Sequence, residues 1–178
     1  MSAHIQLQLG AFGREEKGVA AIEFALLALI FMIGVLNAFE LGRFAYQRMQ
    51  VENAAYAGAQ RAWTDCDPSK LPATTKCQNL NTAVLMAIQS TSLGSAVSLS
   101  PAGIVEGYYC VNASKILQSV GSVSSKPADC SAAGNGSASP GDYIQVQVTF
   151  SYRLLLPMTI MGARGPSTIT KTSWMRLG

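Results

Sequence analysis

Two residues near the start of the chain, Gly18 and Glu23, combine type and position in a way that could support chemistry. Gly18 follows a polar leader that ends in Arg-Glu-Glu-Lys, and it directly precedes the apolar run of residues 19–39. A protease that works beside a membrane needs accessible backbone, and glycine has no side chain to obstruct it. Gly18 is therefore a candidate cleavage point, and cleavage there would make Val19 the first residue of the mature chain. The alternative interpretation is a cytoplasmic tail ahead of a signal anchor.

The carboxyl group of Glu23 lies about one helical turn inside the apolar run. A charge at that depth costs several kcal/mol unless it is paired, and an unpaired buried carboxyl tends to protonate. Cleavage after Gly18 would free an α-amine on Val19, and Glu23 of a neighbouring subunit could pair with it. We therefore expect an ion pair between subunits that sets their axial stagger. The alternative is a glutamate near the membrane interface that reaches back to lipid headgroups.

The four cysteines all lie after the apolar run, at Cys66, Cys77, Cys110 and Cys130. An even number on one side of a membrane segment predicts two disulfides in an oxidising compartment. Pairing Cys66 with Cys77 and Cys110 with Cys130 closes short loops and is the connectivity we favour among the three possible. Buried free thiols are the alternative. A zinc site is disfavoured because the sequence lacks tight Cys-x-x-Cys pairs.

The remaining residues argue against an enzyme. The 178 residues carry a net charge of +3 without a basic block, so we expect no nucleic-acid partner. The single histidine, His4, lies in the leader, and the sequence contains no hydrolase, P-loop or zinc-protease motif. The acids after the apolar run form no pair at a recognisable spacing. We therefore expect no catalytic residue, no cofactor and no metal.

The apolar run must be held in a helix, because about 20 helical residues cross roughly 30 Å of hydrocarbon. No proline occurs over residues 19–63, and the residues there are mostly good helix formers. The sequence predicts one continuous helix over this range. Apolar residues at steps of four or seven form a stripe after the membrane segment. We favour packing of this stripe against the chain's own domain over a pure subunit interface, although the two can coexist. We call it the outer stripe; its members are Leu41, Ala45, Met49, Tyr56 and Trp63.

The C-terminal part, residues 64–178, has the pattern of a small α+β domain. Pro68 and Pro72 end the long helix, and Asn79 or Asn81 could cap a second helix that ends near residue 91. Residues 122–141 are rich in Ser, Ala, Gly and Pro, which is typical of an exposed loop. Alternating or β-branched segments predict an antiparallel sheet packed on the outer half of the long helix; they cover residues 96–99, 103–111, 142–156 and 168–177, with residues 115–120 as a strand or a helical turn.

The segment KGVAAIEF, residues 17–24, resembles the processing site of a type IV prepilin. In the similar Tad/Flp pilus components, cleavage follows glycine, and a glutamate and an aromatic residue occupy the fifth and sixth positions afterwards. Glu23 and Phe24 hold those positions here. The continuation to residue 62 resembles the TadE-like family of pilus assembly proteins. Major Flp pilins are shorter and usually have tyrosine in place of Phe24, so the resemblance implies a minor pilin or pseudopilin.

The resemblance also implies an organisation and a set of partners. It implies a pilin-like fold with a prepilin leader over residues 1–18, a long helix over 19–63 that is transmembrane over 19–39, and an extracytoplasmic domain over 64–178. The implied partners are the membrane, other pilin-like subunits, the Tad secretion machinery and a prepilin peptidase. The implied function is to initiate or support assembly of a filament used for adhesion.

Lysines and arginines flank the apolar run on both sides, so the cysteines decide the orientation. They place the N-terminus in the cytoplasm and the C-terminal domain in the periplasm. We therefore expect a bacterial inner-membrane protein with a single span, which either stays in the membrane or enters the pilus.

Two other functions stay open. One is a bitopic protein whose periplasmic domain binds a ligand or surface outside any pilus. The other, which we disfavour, is a membrane-anchored periplasmic enzyme.

Overall fold

Helix α1, Glu16–Asp65, is the longest element of the chain. The computed structural model describes residues 16–66, 68–155 and 168–178, so the predicted leader lies outside the described residues except for its last three positions. The prediction of one long, continuous helix is confirmed. The chain divides into two compact units, Met1–Arg43 and Phe44–Gly178, and α1 contributes to both.

The second unit adds two helices and four strands to the end of α1. The four strands form one antiparallel sheet in the order β2–β1–β3–β4. The predicted α+β class, with a helix on a small antiparallel sheet, is therefore confirmed. The elements are α2 (Ala73–Lys76), α3 (Leu80–Gln89), β1 (Val97–Val111), β2 (Leu117–Ser122), β3 (Gly141–Ser151) and β4 (Thr168–Arg176).

The strands follow the predicted alternation, with two differences. In β3 the side chains from Ile144 to Phe150 alternate between buried and half-buried, because every second residue points to the core. The sequence predicted two strands in this range, whereas β1 is a single strand. Its pairing with β3 shifts register between Leu99 and Ile104, around Gly103 at φ 58°. β3 ends at Ser151 rather than at residue 156, which lies outside the described residues.

The core of the second unit lies between one face of the sheet, α3 and the part of α1 that follows Phe44. The side of α1 that faces this core carries small side chains, all fully buried: Val51, Ala54, Ala55, Ala59 and Ala62. Gly58 lies among them, and a Cβ there would stand 2.8 Å from Ile88 Cγ2 and 3.1 Å from Val146 Cγ1. The small residues therefore let α1 approach α3 and β3 closely.

The prediction that the outer stripe packs against the chain's own domain is wrong. Met49, Tyr56 and Trp63 are 56%, 56% and 51% exposed, and Leu41 and Ala45 are exposed as well. The reason is that the alanines, rather than the bulky residues, occupy the face of α1 in contact with the core. The apolar stripe lies on the other side of the helix.

The start of α3 also differs from the prediction. Asn79 precedes the helix with φ 64°, and its side chain makes no capping hydrogen bond, while Asn81 lies inside the helix. The helix ends at Gln89, and the hydroxyls of Ser90 and Thr91 donate to the carbonyls of Ala87 and Ile88. Side-chain hydroxyls thus satisfy carbonyls at the end of α3, whereas its start has no side-chain cap.

Candidate functional site

The candidate site begins with the apolar surface of α1 in the first unit. Val19, Ile22 and Phe24 are 66%, 65% and 73% exposed, and the most apolar stretch of the helix is not buried against any other described part of the chain. Among the described residues, α1 is the one helix long and apolar enough to cross a membrane. A surface of this kind in water would be unfavourable, so it requires lipid or other apolar helices around it.

The apolar run contains two polar residues, and they differ in their hydrogen bonding. The Asn37 side-chain amide donates to the Ile33 carbonyl at 2.7 Å, so it is satisfied within its own helix. Glu23 makes no hydrogen bond or ion pair with another described residue, and it is exposed. A carboxylate in an apolar layer needs a partner or a proton. Within this run, Glu23 is therefore the residue whose charge calls for a group from outside the described chain.

The structure places the four predicted processing residues on α1. Gly18, Val19, Glu23 and Phe24 are all helical. A peptidase that needs extended backbone at Gly18 would therefore have to unwind the helix around it.

The outer stripe gives α1 a second exposed apolar surface, now in the second unit. Met49, Tyr56 and Trp63 repeat every seven residues, which places them along one side of the helix. One ion pair borders them: Lys171 Nζ lies 2.8 Å from the carboxylate of Glu52, which is one helical turn before Tyr56. The pattern of an apolar line bordered by charges is that of a helix surface that packs on another helix.

The four cysteines form the two local pairs that the sequence analysis favoured. Cys66 pairs with Cys77 at a Cα–Cα distance of 5.9 Å, and Cys110 pairs with Cys130 at 5.7 Å. The first pair ties the end of α1 to the end of α2. The second ties β1 to the loop before β3 and forms a small separate cluster with Ala133.

The sequence analysis missed one group of residues, a pair of buried acids. Glu106 on β1 is 8% exposed and Asp142 on β3 is 4% exposed. Strand pairing sets Glu106 opposite Ile144 and Tyr108 opposite Asp142, so the two acids are diagonal neighbours on the core face. The signal was present in the sequence: Asp142 has the same parity as Ile144 and Val146, which predicts that it points inward.

The surroundings of this pair shift the pKa of Asp142 and that of the neighbouring Tyr108. Burial raises the pKa of Asp142 from 3.8 to about 6; the charge of Glu106 and a hydrogen bond to it add to the rise, while Lys126 opposes it. Burial also raises the pKa of Tyr108, with further contributions from Asp142 and Glu106. Both shifts arise because each group would become negative close to another negative charge with little water to screen them.

The described residues do not assemble a metal centre, since no three potential ligands from His, Cys, Asp and Glu cluster in residues 16–66, 68–155 and 168–178. A surface cleft of about 500 Å³ lies beside Cys77 and the start of α3. Hydroxyl and amide groups of Thr74, Asn79, Asn81 and Thr82 provide its polar lining, together with apolar side chains. These groups lack the acid and base that a hydrolytic site would use.

Comparison with known proteins agrees with the resemblance seen in the sequence. The family model described as TadE-like protein matches residues 18–60, and the resemblance is confirmed over that segment. No curated protein and no solved structure matches the chain. The matched segment contains Gly18, Glu23, Met49 and Tyr56, and it ends before the disulfides and the sheet. The match indicates a component related to Tad pili, and α1 fits a protein with a single membrane span.

Proposed function

We propose that this chain is a minor pilin or pseudopilin that helps to initiate or support assembly of a Tad-type pilus at the bacterial inner membrane. The observation that carries the proposal is the TadE-like segment, in which Glu23 stands on an exposed apolar helix without a described partner. In this proposal residues 1–18 are a leader removed by a prepilin peptidase. Residues 19–39 then span the membrane, and the disulfide-bonded domain lies in the periplasm.

Glu23 has a definite role in the proposed assembly. After cleavage the α-amine of Val19 is a positive charge at the end of an apolar helix, where it is as costly to bury as the carboxylate. A neighbouring pilin-like subunit shifted along the axis by about one turn would bring its amine to Glu23. Each charge would then offset the desolvation of the other, and the pair would fix the stagger of adjacent helices.

The outer stripe supplies the second contact. Met49 and Tyr56 lie within the TadE-like segment, so their surface is continuous in sequence with the part of α1 that the family model matches. We assign to it the helix of a neighbouring pilin-like subunit. Tyrosine and tryptophan are enriched among residues that dominate binding free energy, which fits Tyr56 and Trp63 as its main contacts.

The direct test of processing is N-terminal sequencing of the protein from the membrane fraction. A mature chain that begins at Val19 supports the proposal. A chain that still begins at Met1 or Ser2 refutes cleavage, and it favours the bitopic protein with a periplasmic binding domain, which needs no mature amine.

The test of the ion pair is co-purification of pilus components with Glu23→Ala and Glu23→Gln variants. Both should insert in the membrane as the natural chain does, because removing a charge favours insertion, and both should lose their pilus partners. Asn37→Ala is the matched control, since Asn37 is polar, lies in the same run and is satisfied within its own helix. Normal co-purification of the Glu23 variants would refute the role of this carboxylate.

A further inference from the structure

The buried acid Glu106 connects the sheet to the segment before α3. Its Oε1 accepts a hydrogen bond from the Ala73 N–H at 2.6 Å, and its Oε2 accepts from the Thr74 N–H at 2.6 Å and the Thr74 hydroxyl at 2.5 Å. These bonds satisfy N–H groups at the start of α2 that the helix itself leaves free. α2 ends beside Cys77, which is bonded to Cys66 at the end of α1. One carboxylate on β1 therefore holds a segment that is tied covalently to α1.

Asp142 is the neighbour of Glu106, and it lacks such donors. Neither of its side-chain oxygens accepts a hydrogen bond from a donor among the described residues. Its backbone is hydrogen-bonded, because its N–H donates to the Gly178 carbonyl and its carbonyl accepts from the Leu177 N–H. The register between β1 and β3 makes Glu106 its diagonal neighbour on the same face of the sheet. Two neighbouring carboxylates that are both more than nine-tenths buried repel each other because little water screens them.

The other charged groups around the pair are few. Tyr108, on the same face of β1, is the second titratable group beside Asp142. Lys126, from the segment between β2 and β3, places its ammonium 5.6 Å from the centre of the Tyr108 ring and partly offsets the negative charge of Asp142. On β4, Arg176 lies beside Gly141, and its guanidinium donates to the Gly178 carbonyl at 3.0 Å. Of the charges that act on Asp142, that of Glu106 has the largest effect.

We propose that Glu106 and Asp142 form a proton-controlled clasp, in which a proton on the Asp142 carboxyl keeps residues 73–74 bound to the sheet and its loss loosens them. With the proton present, the pair carries one negative charge, and Glu106 accepts the three hydrogen bonds. When the proton leaves, the second charge favours separation of the two side chains and entry of water between them. Glu106 can then move away from Asp142 only by changing its contact with the start of α2.

This device would make the link between α1 and the sheet depend on pH. The clasp holds a segment whose other end is the Cys66–Cys77 disulfide, so its loosening affects the region just after the last turn of α1. Loss of the proton is expected near pH 6, the range in which Asp142 titrates. The proposal is independent of the pilus role, because it needs only the folded second unit and an aqueous compartment whose pH can vary.

The test is hydrogen–deuterium exchange, followed by mass spectrometry, on the full chain in detergent at pH 5 and pH 8. After correction for the intrinsic effect of pH, the amides of residues 73–74 should exchange about tenfold faster at pH 8. In Asp142→Asn the difference between the two pH values should disappear, with slow exchange at both, because the amide stays neutral. Asp129→Asn is the control: Asp129 is an exposed acid bonded to Ser131, and its variant should keep the pH dependence.

A second variant separates the clasp from a general change in stability. Glu106→Gln should raise exchange of residues 73–74 at both pH values, while the amides of β3 stay protected. Two results would overturn the proposal: equal corrected exchange of the natural chain at pH 5 and pH 8, or a pH difference that persists in Asp142→Asn. The second variant is not needed for that decision, so a failure of Glu106→Gln to fold leaves the test intact.

Discussion

Glu23 and Asp142 are both acids in apolar surroundings, and the chain treats them in opposite ways. Asp142 is buried inside the second unit, where Glu106 and a proton limit its charge. Glu23 is exposed on the part of α1 before Phe44, where the large apolar side chains are exposed as well, and no described residue pairs with it. The free-energy cost of burying the Asp142 carboxyl is offset within the fold, whereas Glu23 needs a group that the fold does not supply. This difference fits the two proposed roles, Asp142 as part of the clasp and Glu23 as the contact with a neighbouring subunit.

The same contrast applies to the two sides of α1 after Phe44. One side is made of alanines, a valine and Gly58, and it is fully buried against α3 and the sheet. The other side carries larger apolar residues, and it is exposed. Large apolar side chains on the exposed side are unfavourable for a domain that functions alone, whereas helix–helix contacts are built from such side chains. The predictions below test whether each side of α1 and each acid has the role that its surroundings indicate.

The largest effect is expected from a charge placed in the outer stripe. Tyr56→Glu should reduce co-purification of pilus components about tenfold or more, because it inserts a carboxylate in the centre of the proposed contact. The domain should fold normally, since Tyr56 is exposed. Met86→Glu on α3 is the matched control, because Met86 is 61% exposed and lies outside the stripe. Equal retention of partners by both variants would refute the assignment of the stripe.

How far the sequence predicted these features depends on whether the signal was local. The long helix, the two local cysteine pairs and the inward parity of β3 follow from spacing along the chain. The direction in which the outer stripe faces does not follow from spacing, because both sides of α1 after Phe44 are apolar. The side that faces the core is the one that lets Ile88 and Val146 come closer to the helix, and Gly58 and the alanines permit that closer contact.

The acid pair could not be found from spacing alone. Glu106 and Asp142 are far apart in the chain, and the register between β1 and β3 brings them together. That register includes a shift between Leu99 and Ile104, which no periodic pattern predicts. The parity of Asp142 indicated an inward acid, and the identity of its neighbour required the structure.

The next largest effect is expected from removal of a disulfide. Replacing Cys110 and Cys130 together by serine should lower the free energy of unfolding by about 3 kcal/mol, because a cross-link over 20 residues restricts the unfolded chain. The Cys66–Cys77 pair spans 11 residues and should cost slightly less. Denaturant titration of the full chain in detergent measures both values. An unchanged transition after reduction of the natural protein would contradict this prediction.

A comparable effect that depends on pH is expected for Asp142→Asn. Because the pKa of Asp142 is raised from 3.8 to about 6 on folding, the folded state binds more protons between these values. The natural protein should therefore lose stability as pH rises from about 4 to about 6, by about 2–3 kcal/mol in all. The asparagine side chain carries no charge, so the variant should be the more stable protein at pH 8 and should lose this part of the pH dependence. Unfolding midpoints at pH 4.5 and pH 8 test it, and a natural protein that is more stable than the variant at pH 8 would contradict it.

The smallest effect is expected from two glycine substitutions on α1. Gly58→Ala places a Cβ 2.8 Å from Ile88 Cγ2 and 3.2 Å from Val84 Cγ1, so overpacking should exceed the helix-propensity gain and destabilise the domain by about 1 kcal/mol. Gly34→Ala meets no described atom within 4 Å, so it should leave the unfolding transition unchanged. Because Gly34 lies in the proposed membrane span, its variant also probes the partner. Loss of co-purification without loss of stability would show that a neighbouring helix approaches α1 at Gly34.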